Sequence, residues 1–367
     1  MISIIVGFRN RETERVINFL NSFSFQSFKN FELIFCDYGS DIHNREEVER
    51  IATSYDFVNY IYCDTRGQFW NRSHALNIGA KYAKFDNLLF ADIDLIFSDQ
   101  ILSKLKILDT EKYFYTFQCF YSNHRFDNYL FDDYLVRHSK INYVGLCFLS
   151  KNLWMLIGGY DEYFMYWGAE DDDFYRKLAM KGIQNKLLDI QDYPIIHQWH
   201  EVQKMGEPTP WYLDMVYRLY SFVNFEKVSK EISFGNITTT KERLLLPPFQ
   251  NLFFTEIDLF PDKLYQFNVF METFFDLKPG TLGKFTYYFP IKFDISRKDK
   301  LVVRLNKLFD WLNINYSIMK INKPSHIHSF KLWNEFIMLF IGRSRKNIRD
   351  YYLEIDQNKA VLYFVKC

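Results

Sequence analysis

The chain has 367 residues, 45 basic and 45 acidic side chains, and a hydrophobic fraction of 48%. This length is enough for one large domain or two ordinary ones. The balanced charge argues against nucleic acid as a partner, because binding phosphates needs an excess of Lys and Arg.

The amino-terminal segment starts directly with an apolar run and has no signal-peptide pattern. No run of about 18 apolar residues occurs, so no transmembrane segment is expected. The five cysteines are scattered without a CxxC pair, which indicates a reducing compartment. We therefore expect a cytoplasmic protein, with peripheral contact at the inner face of the membrane left open and the oligomeric state unknown.

Strands and helices alternate along the first quarter of the chain. Apolar runs at residues 2–8, 31–36, 58–63 and 87–91 read as strands, and helical patterns occupy 12–23, 45–54 and 68–80. This alternation predicts an α/β fold with a mostly parallel sheet. Ligands of such sheets bind beyond the carboxyl ends of the strands, where Arg9, Arg11 and Asp37 fall.

Asp92 and Asp94 directly follow the apolar run at 87–91. Two carboxylates in this position can hold a hard divalent cation together with diphosphate oxygens, although a strand-end turn capped by Asp is the plainer interpretation. His197 ends a later apolar run and, taken alone, reads as a structural residue. Together with the acids it predicts a mixed oxygen and nitrogen site, which favours Mn²⁺ over Mg²⁺.

The stretch at 158–176 combines six carboxylates with several aromatic residues. Buried carboxylates need cations, hydrogen-bond donors or a polar ligand. We interpret the stretch as a polar pocket with an aromatic wall at Trp167, suited to stacking on a sugar. The pocket opens onto a helix predicted from Phe174 to Lys181, whose dipole favours acids at its start. The alternative is a helix cap with exposed charges.

The carboxyl-terminal part predicts a smaller α+β domain. Residues 285–295 and 316–321 read as strands, 298–312 and 329–341 as helices, and 351–355 with 360–365 as a hairpin. We therefore place a catalytic domain at residues 1–235 and an accessory domain at 236–367. The accessory domain offers no acid pair or ligand set, so we expect it to position the acceptor or to mediate association.

Four segments resemble β-1,4-galactosyltransferases in the same order along the chain. They are FRNR at 8–11, WNRSHALNIG at 70–79, ADIDLIF at 91–97 and YVGLCFLSKNLWMLIGGYDEYFMYWGAEDDDFYRKL at 143–178. More broadly, the chain is similar to family 2 glycosyltransferases of the GT-A fold, a Rossmann-like nucleotide-diphospho-sugar transferase architecture. The resemblance covers roughly residues 1–220 and stops in the accessory domain.

The resemblance implies a role for each matching residue. Asp94 and His197 would ligate the metal, and Asp171 would be the general base. The acceptor would contact Trp167, Glu170 and Asp172. The donor nucleotide and its sugar would contact Phe8, Arg9, Arg11, Asp37, Trp70, Arg72, Asp92, Asn142 and Gly145.

The sequence departs from the family pattern at two informative positions. The family has a methionine ligand three residues before the metal histidine, where this chain has Pro194. A third ligand is therefore missing or comes from another group, for which His200 is a candidate. Asn142 stands where galactose-transferring members carry a Tyr that restricts the C2 substituent of the donor, so the donor sugar stays open.

Residues and resemblance together predict a metal-dependent, inverting glycosyltransferase. It would move a hexose or N-acetylhexosamine from a UDP-sugar to a glycan or lipid-linked glycan, in the synthesis of a bacterial surface glycan. Mn²⁺ is the expected cofactor, with Mg²⁺ as the alternative. Two other functions stay open: a retaining transferase on the same fold, and a non-catalytic relative that only binds sugar or nucleotide.

Overall fold

The computed structural model describes residues 1–122, 141–165, 170–200, 235–249, 252–257, 271–288, 337–338, 340–342, 344, 346–355 and 359–367. The chain divides into two compact units, Met1–Arg243 and Leu244–Cys367. The boundary predicted from the sequence lies at residue 235, whereas in the structure residues 236–243 pack with the first unit. Among the described helices, none combines the length and apolarity needed to cross a bilayer.

The first part of the chain forms the predicted parallel layer. Its strands are β1 (Ile2–Phe8), β2 (Phe31–Asp37), β3 (Val58–Tyr62) and β4 (Asn87–Ala91), paired in parallel in the order β3-β2-β1-β4. The connecting helices are α1 (Thr13–Ser24), α2 (Ile42–Ala52) and α3 (Arg72–Tyr82). The residues of β1 and β2 are almost fully buried, because helices cover both faces of a parallel sheet.

The rest of the first unit extends this sheet with mixed pairing. The strands are β5 (Leu95–Phe97), β6 (Tyr113–Tyr121), β7 (Ile141–Ser150), β8 (Gln184–Leu188) and β9 (Ile195–His197); the helices are α4 (Ile101–Leu105), α5 (Lys151–Leu156) and α6 (Glu170–Met180). The full order is β3-β2-β1-β4-β7-β6-β9-β5, with β8 beside β6. β7 runs antiparallel to both β4 and β6. The predicted α/β class is therefore confirmed.

An aromatic stack fixes α6 against the sheet. Tyr160 and Phe174 stack face to face at 4.0 Å, and both rings contact Phe90 of β4 edge-on. All three side chains are almost completely buried. Offset and edge-to-face aromatic pairs contribute about 0.5–1.5 kcal/mol beyond their buried area. The stack therefore sets the position of α6, which begins at Glu170 and not at the predicted Phe174.

Residues 236–243 form a strap that is fastened beyond the end of β3. The amide of Asp64 donates to the carbonyl of Thr238 at 2.7 Å. The Asp64 carboxylate accepts from Thr240 Oγ1 at 2.7 Å and from the Arg66 guanidinium at 2.7 and 2.9 Å. Arg243 donates to the carbonyls of Asp64 and Arg66 at 3.1 and 2.9 Å. These contacts explain why the strap belongs to the first unit.

The second unit contains a four-stranded sheet in the order β10-β11-β13-β12. Its strands are β10 (Thr255–Glu256), β11 (Leu282–Tyr288), β12 (Ile348–Ile355) and β13 (Lys359–Lys366). β12 and β13 pair antiparallel, as the predicted hairpin requires. Phe274, Phe340 and Phe364 pack together within this unit. The helix predicted at 298–312 and the strand predicted at 316–321 lie outside the described residues.

Candidate active site

Pairing of β5 with β9 brings the second acid of the Asp92-Ile93-Asp94 segment to the histidines. The two strands run antiparallel with Leu95 opposite His197, and the amide of Gln198 donates to the Asp94 carbonyl at 2.7 Å. The Oδ2 atom of Asp94 lies 3.4 Å from Nε2 of His197 and 3.4 Å from Nε2 of His200. Asp94, His197 and His200 therefore form one cluster with a ligand atom from each residue.

The electrostatics of this cluster suit a divalent cation. Burial alone would raise the pKa of Asp94, but its hydrogen bonds to His197 and His200 outweigh burial and lower that pKa. The carboxylate is thus ionised, and among the described residues its buried Oδ1 atom has no hydrogen-bond partner. One carboxylate and two imidazoles are a donor set for transition metals such as Mn²⁺ more than for Mg²⁺. The residues present fit a metal, and His200 lies where it could supply the third ligand in place of the family's methionine.

Neighbouring residues fix the imidazole of His197. Its ring stacks on Tyr121 of β6 with a centroid distance of 4.6 Å. The adjacent Gln198 is anchored to α1, where it accepts from Asn18 and donates to the carbonyl of Arg15. A ligand held in this way loses little conformational freedom when it binds a metal.

Arg72 joins the first acid of the same segment to α6. It opens α3 directly after Asn71, whose side chain caps the helix by accepting from the amide of His74. Its Nε atom donates to Asp92 Oδ1 at 2.8 Å, and its Nη1 atom donates to Asp171 Oδ1 at 2.9 Å. Its Nη2 atom donates to the carbonyl of Gly145 at 2.7 Å.

Asp171 has the acid–base properties of a proton acceptor near neutral pH. Burial raises the pKa of Asp171 to about 8, and the charges of Glu170 and Asp92 add to the increase, while Arg72 partly opposes it. General bases work best when their pKa lies near the working pH. The predicted base therefore lies in surroundings that suit its role, which remains a prediction.

The six carboxylates of the 158–176 stretch do not share one pocket, which corrects our interpretation. The Glu162 carboxylate accepts from Asn77 of α3, and Asp173 pairs with Lys177 and Arg176 on its own helix. Asp172 is exposed. An α-helix turns about 100° per residue, so successive acids point in different directions. Among the described residues of the stretch, Glu170 and Asp171 are the carboxylates near Arg72.

Two residues predicted to meet the donor are turned inward. Phe8 is 1% exposed and packs against Phe35 at 5.2 Å, so its side chain does not line a pocket. The buried Asp37 carboxylate accepts from the amide of Ser40 at 2.9 Å and from the hydroxyl of Tyr60 at 2.8 Å. Burial raises the pKa of Asp37 despite these hydrogen bonds. Any donor contact of Phe8 therefore has to use its backbone.

The remaining donor residues lie at different depths. Arg9 donates to the carbonyls of Gln68 and Thr65 at 2.8 and 3.2 Å, which ties the end of β1 to the segment before α3. Arg11 and Trp70 are partly exposed. Trp70 also packs over Gly7, where an added Cβ would lie 3.2 Å from the indole ring. Gly7 is therefore needed for this close approach.

Two predicted side chains cannot be compared with the site. Asn142 lies in β7 opposite Gln118, but its side chain is not described. Trp167 lies outside the described residues. The aromatic wall that we predicted there therefore remains a prediction.

Sequence reasoning missed the residues that position the segment before α6. Asn71 donates to the carbonyl of Glu162 at 2.7 Å, and Asn77 donates to the carbonyl of Tyr160 at 2.8 Å. Both asparagines lie in or beside α3 and are buried. Asn71 gave a signal, because Asn is a preferred residue before a helix. Asn77 gave none, because its partner is distant in the sequence.

Comparisons with known proteins agree with this architecture. Residues 3–158 match the family model described as Glycosyl transferase family 2, and residues 133–201 match the model described as N-terminal domain of galactosyltransferase. Beta-1,4-galactosyltransferase 1 of Bos taurus is 26% identical over 166 residues, which cover 44% of this chain and 38% of the bovine protein.

Other similar proteins act on related sugars according to their names. Human chondroitin sulfate N-acetylgalactosaminyltransferase 1 is 26% identical over 179 residues, covering 44% of this chain and 33% of the human protein. The chain thus spans less than half the length of either relative. A crystal structure of GalNAc-T7 with UDP, GalNAc and Mn²⁺ superposes with a TM-score of 0.44 at 17% identity, over 58% of this chain and 46% of that one.

Proposed function

We propose, on the premise that residues 3–158 belong to glycosyltransferase family 2, that this chain is a metal-dependent, inverting glycosyltransferase. It moves a hexose or N-acetylhexosamine from a UDP-sugar to a hydroxyl of a glycan or lipid-linked glycan. One observation carries the proposal. Asp94 belongs to the cluster with two histidines, and Asp92, two residues earlier, belongs to the cluster that contains Arg72 and Asp171. The proposed metal ligands and the proposed base therefore lie at the same strand end.

The metal would be held by Asp94, His197 and His200. When bound, Mn²⁺ supplies positive charge that neutralises the diphosphate leaving group. The two imidazoles support Mn²⁺ over Mg²⁺ as the physiological ion. The donor nucleotide would lie along the carboxyl edge of β1, β2 and β4, where Arg9, Arg11 and Trp70 follow or face the strand ends.

Asp171 acts as the base when the acceptor hydroxyl displaces UDP from the anomeric carbon. The O–H bond of the acceptor hydroxyl breaks, and the proton moves to the Asp171 carboxylate. The electron pair of that hydroxyl oxygen forms the new bond to the anomeric carbon. The bond from this carbon to the diphosphate oxygen breaks, and its electron pair leaves with UDP. Attack from the face opposite the diphosphate inverts the anomeric centre.

The acceptor is oriented by the start of α6 and the segment before it. Glu170, beside Asp171, would accept a hydrogen bond from another hydroxyl of the acceptor. Asp172 is exposed on a different side of α6 and would meet a more distant part of a long acceptor. Trp167 would stack on the acceptor ring, as the family resemblance implies. Holding the reacting hydroxyl in place converts binding energy into rate. The second unit carries no part of the chemistry in this proposal; it positions a longer acceptor or mediates association.

The donor sugar follows from residue 142. Asn is smaller than the Tyr that, by the family resemblance, restricts the C2 substituent in galactose-transferring members, so an Asn at this position would leave room for an N-acetyl group. We therefore expect UDP-GalNAc or UDP-GlcNAc to be used at least as well as UDP-Gal. The relatives named for N-acetylgalactosamine transfer support this choice.

Release of UDP from a panel of sugar nucleotides tests the function. With Mn²⁺ present, at least one UDP-sugar should release UDP; a chelator should abolish release, and added Mn²⁺ should restore it. NMR of the product's anomeric proton should show inversion once an acceptor is found. Release that is insensitive to metal removal, or no release from any UDP-sugar, contradicts the proposal.

A further inference from the structure

Arg72 is the side chain through which the two halves of the proposed site are connected. Its guanidinium reaches Asp92 at 2.8 Å, Asp171 at 2.9 Å and the carbonyl of Gly145 at 2.7 Å, each through a different nitrogen. The Nη1 atom also lies 3.8 Å from Glu170 Oε1. The side chain of Arg72 is 12% exposed, so water screens these contacts weakly.

These contacts join four separate elements of the first unit. Arg72 is the first residue of α3, Asp92 follows β4, Gly145 lies in β7, and Asp171 is in the first turn of α6. The partners are 20, 73 and 99 residues away along the chain. Arg72 therefore fixes the start of α6 relative to the strand end that carries Asp92.

The geometry requires a guanidinium. Arginine presents several N–H groups in a rigid plane and can serve three acceptors in different directions, whereas lysine has one nitrogen on a flexible stem. A lysine at position 72 could keep a positive charge near the acids. Its single nitrogen could not occupy the three separate positions from which Nε, Nη1 and Nη2 donate to Asp92, Asp171 and the Gly145 carbonyl.

The contact with Asp171 involves one of its two oxygens. Arg72 donates to Oδ1, and no described residue donates a hydrogen bond to Oδ2. A carboxylate anchored in this way keeps one oxygen for the substrate and has a fixed orientation. This is the arrangement that a base needs if it is to meet a hydroxyl in one geometry.

We propose that Arg72 is a positioning residue that orients Asp171 and holds it at a fixed position relative to Asp92, which is predicted to contact the donor. This role rests on the proposed function, because it assumes that Asp171 removes the acceptor proton. It adds to the donor contact that family resemblance implies for Arg72. The proposal concerns the rate of the transfer step and not the affinity for the donor.

The groups around Asp171 determine how loss of Arg72 would act. Glu170 on α6 and Asp92 after β4 are the charged groups that oppose ionisation of Asp171, and Arg72 favours it. Three further titratable groups face this carboxyl: Cys147 on β7, Tyr160 before α6 and Tyr175 on α6. Burial raises the pKa of each of them. Removing the Arg72 charge should therefore raise the pKa of Asp171 further. Its proton would then be lost only at higher pH.

The test compares Arg72→Lys and Arg72→Gln with the parent and with Arg176→Lys. Arg176 is a matched control, because it also pairs with an aspartate, Asp173, at 2.7 Å on the same helix as Asp171. Two quantities are measured: the kinetics of transfer or UDP release with Mn²⁺, and the carbon-13 titration of the Asp171 carboxyl. The Asp171→Asn spectrum identifies that signal. Unfolding curves show which variants are folded.

The expected result separates orientation from charge. Arg72→Gln should raise the pKa of Asp171 by about one unit or more, because it removes the positive charge that favours ionisation of this carboxyl. One unit corresponds to a tenfold change in the protonation equilibrium. Arg72→Lys should raise this pKa less, yet lower kcat about tenfold or more while the donor KM stays within about threefold. Arg176→Lys should leave both quantities unchanged. If Arg72→Gln does not fold, Arg72→Lys carries both measurements.

Three results would overturn the proposal. They are an unchanged Asp171 titration in the folded variants, normal kcat in Arg72→Lys, and a loss confined to the donor KM, which would make Arg72 a donor contact only. Failure of the proposed function looks different. The parent itself would then release no UDP, while the carbon-13 titration would still decide whether Arg72 holds Asp171.

Discussion

Two arginine–carboxylate clusters of the first unit contain the same kinds of groups but have opposite charge balance. Beyond β3, the buried Asp64 carboxylate lies near the guanidinium groups of Arg66 and Arg243. Beyond β4, the guanidinium of Arg72 is shared among Asp92, Glu170 and Asp171. The first cluster has two cations for one acid, and the second has one cation for three acids among the described residues.

The charge balance decides the protonation of each acid. Burial raises the pKa of both Asp64 and Asp171. At Asp64 the hydrogen bonds from Arg66 and Thr240 outweigh burial, so the pKa is lowered. At Asp171 burial prevails, and the pKa is raised to about 8. A carboxylate with excess cations stabilises the fold, whereas one that lacks them is suited to accept a proton or bind a cation.

Removing the Asp64 charge should cost the most stability. Asp64→Asn removes the buried negative charge that Arg66 and Arg243 share, and loss of one partner of a buried ion pair costs about 3–5 kcal/mol of unfolding free energy. Denaturant titration measures this loss, with the exposed Asp192→Asn as control. The rate per folded molecule should not change. A loss below about 1 kcal/mol, the range of a surface ion pair, would contradict the structural role.

The same cluster predicts a pH dependence of stability. Because the pKa of folded Asp64 is lowered, its contribution is present above the ordinary pKa of an aspartate and is lost as pH falls through the folded value. The parent should therefore lose more unfolding free energy on acidification than Asp64→Asn does.

Removing the Asp171 charge should cost activity and not stability. Asp171→Asn keeps the shape of the side chain but cannot accept a proton, so transfer should fall about a hundredfold or more. Affinity for the UDP-sugar should change little. The unfolding free energy above neutral pH should stay equal or rise, because ionised Asp171 is unfavourable in the folded state. A variant with near-normal turnover would rule out Asp171 as the base.

Asp173→Asn is the matched comparison on the same helix. Asp173 is 1% exposed and pairs with Lys177 and Arg176, so its loss should lower the unfolding free energy. Its effect on turnover per folded molecule should be small. Equal losses of turnover in Asp171→Asn and Asp173→Asn would mean that both act through the stability of α6.

The smallest of these effects should come from His200. His200→Ala removes one of three proposed ligands and should weaken Mn²⁺-dependent UDP binding about tenfold or more, because even the hydrogen-bond partners of metal ligands contribute about 10–100-fold to metal affinity. Calorimetry with Mn²⁺ and UDP measures it, and His43→Ala is an exposed control. Binding equal to the parent would remove His200 from the ligand set and leave Asp94 and His197.

The features that could be predicted depend on residues close together in the sequence, whereas those that could not be predicted depend on contacts between distant residues. The strands β1 to β4 followed from local apolar runs, and Asp92 and Asp94 were located by the strand that precedes them. The contact of Asp94 with His197 depends on the pairing of Leu95 with His197, which no local pattern specifies. The resemblance supplied His197 and left His200 as a candidate. Only the strand pairing shows that both imidazoles lie equally close to the same oxygen of Asp94.

The acidic stretch shows a second limit of sequence reading. Composition indicated that its carboxylates needed partners, and this was correct for Asp173 and Asp171. It did not indicate that the partners were different, with Lys177 for one and Arg72 for the other. The helix begins at Glu170, and its rotation separates acids that are adjacent in the sequence. Arg72 was assigned to the donor because nothing in its neighbourhood pointed to α6.

The pH dependence of transfer tests most directly whether Asp171 is the base. With donor, acceptor and Mn²⁺ saturating at every pH, the rate should rise about tenfold per unit on the acid side. It should level off near the raised pKa of Asp171, which is about 8. Asp171→Asn should lack this rise. A parent rate that is constant between about pH 6 and 9, or a variant that keeps the same rise, would contradict the assignment.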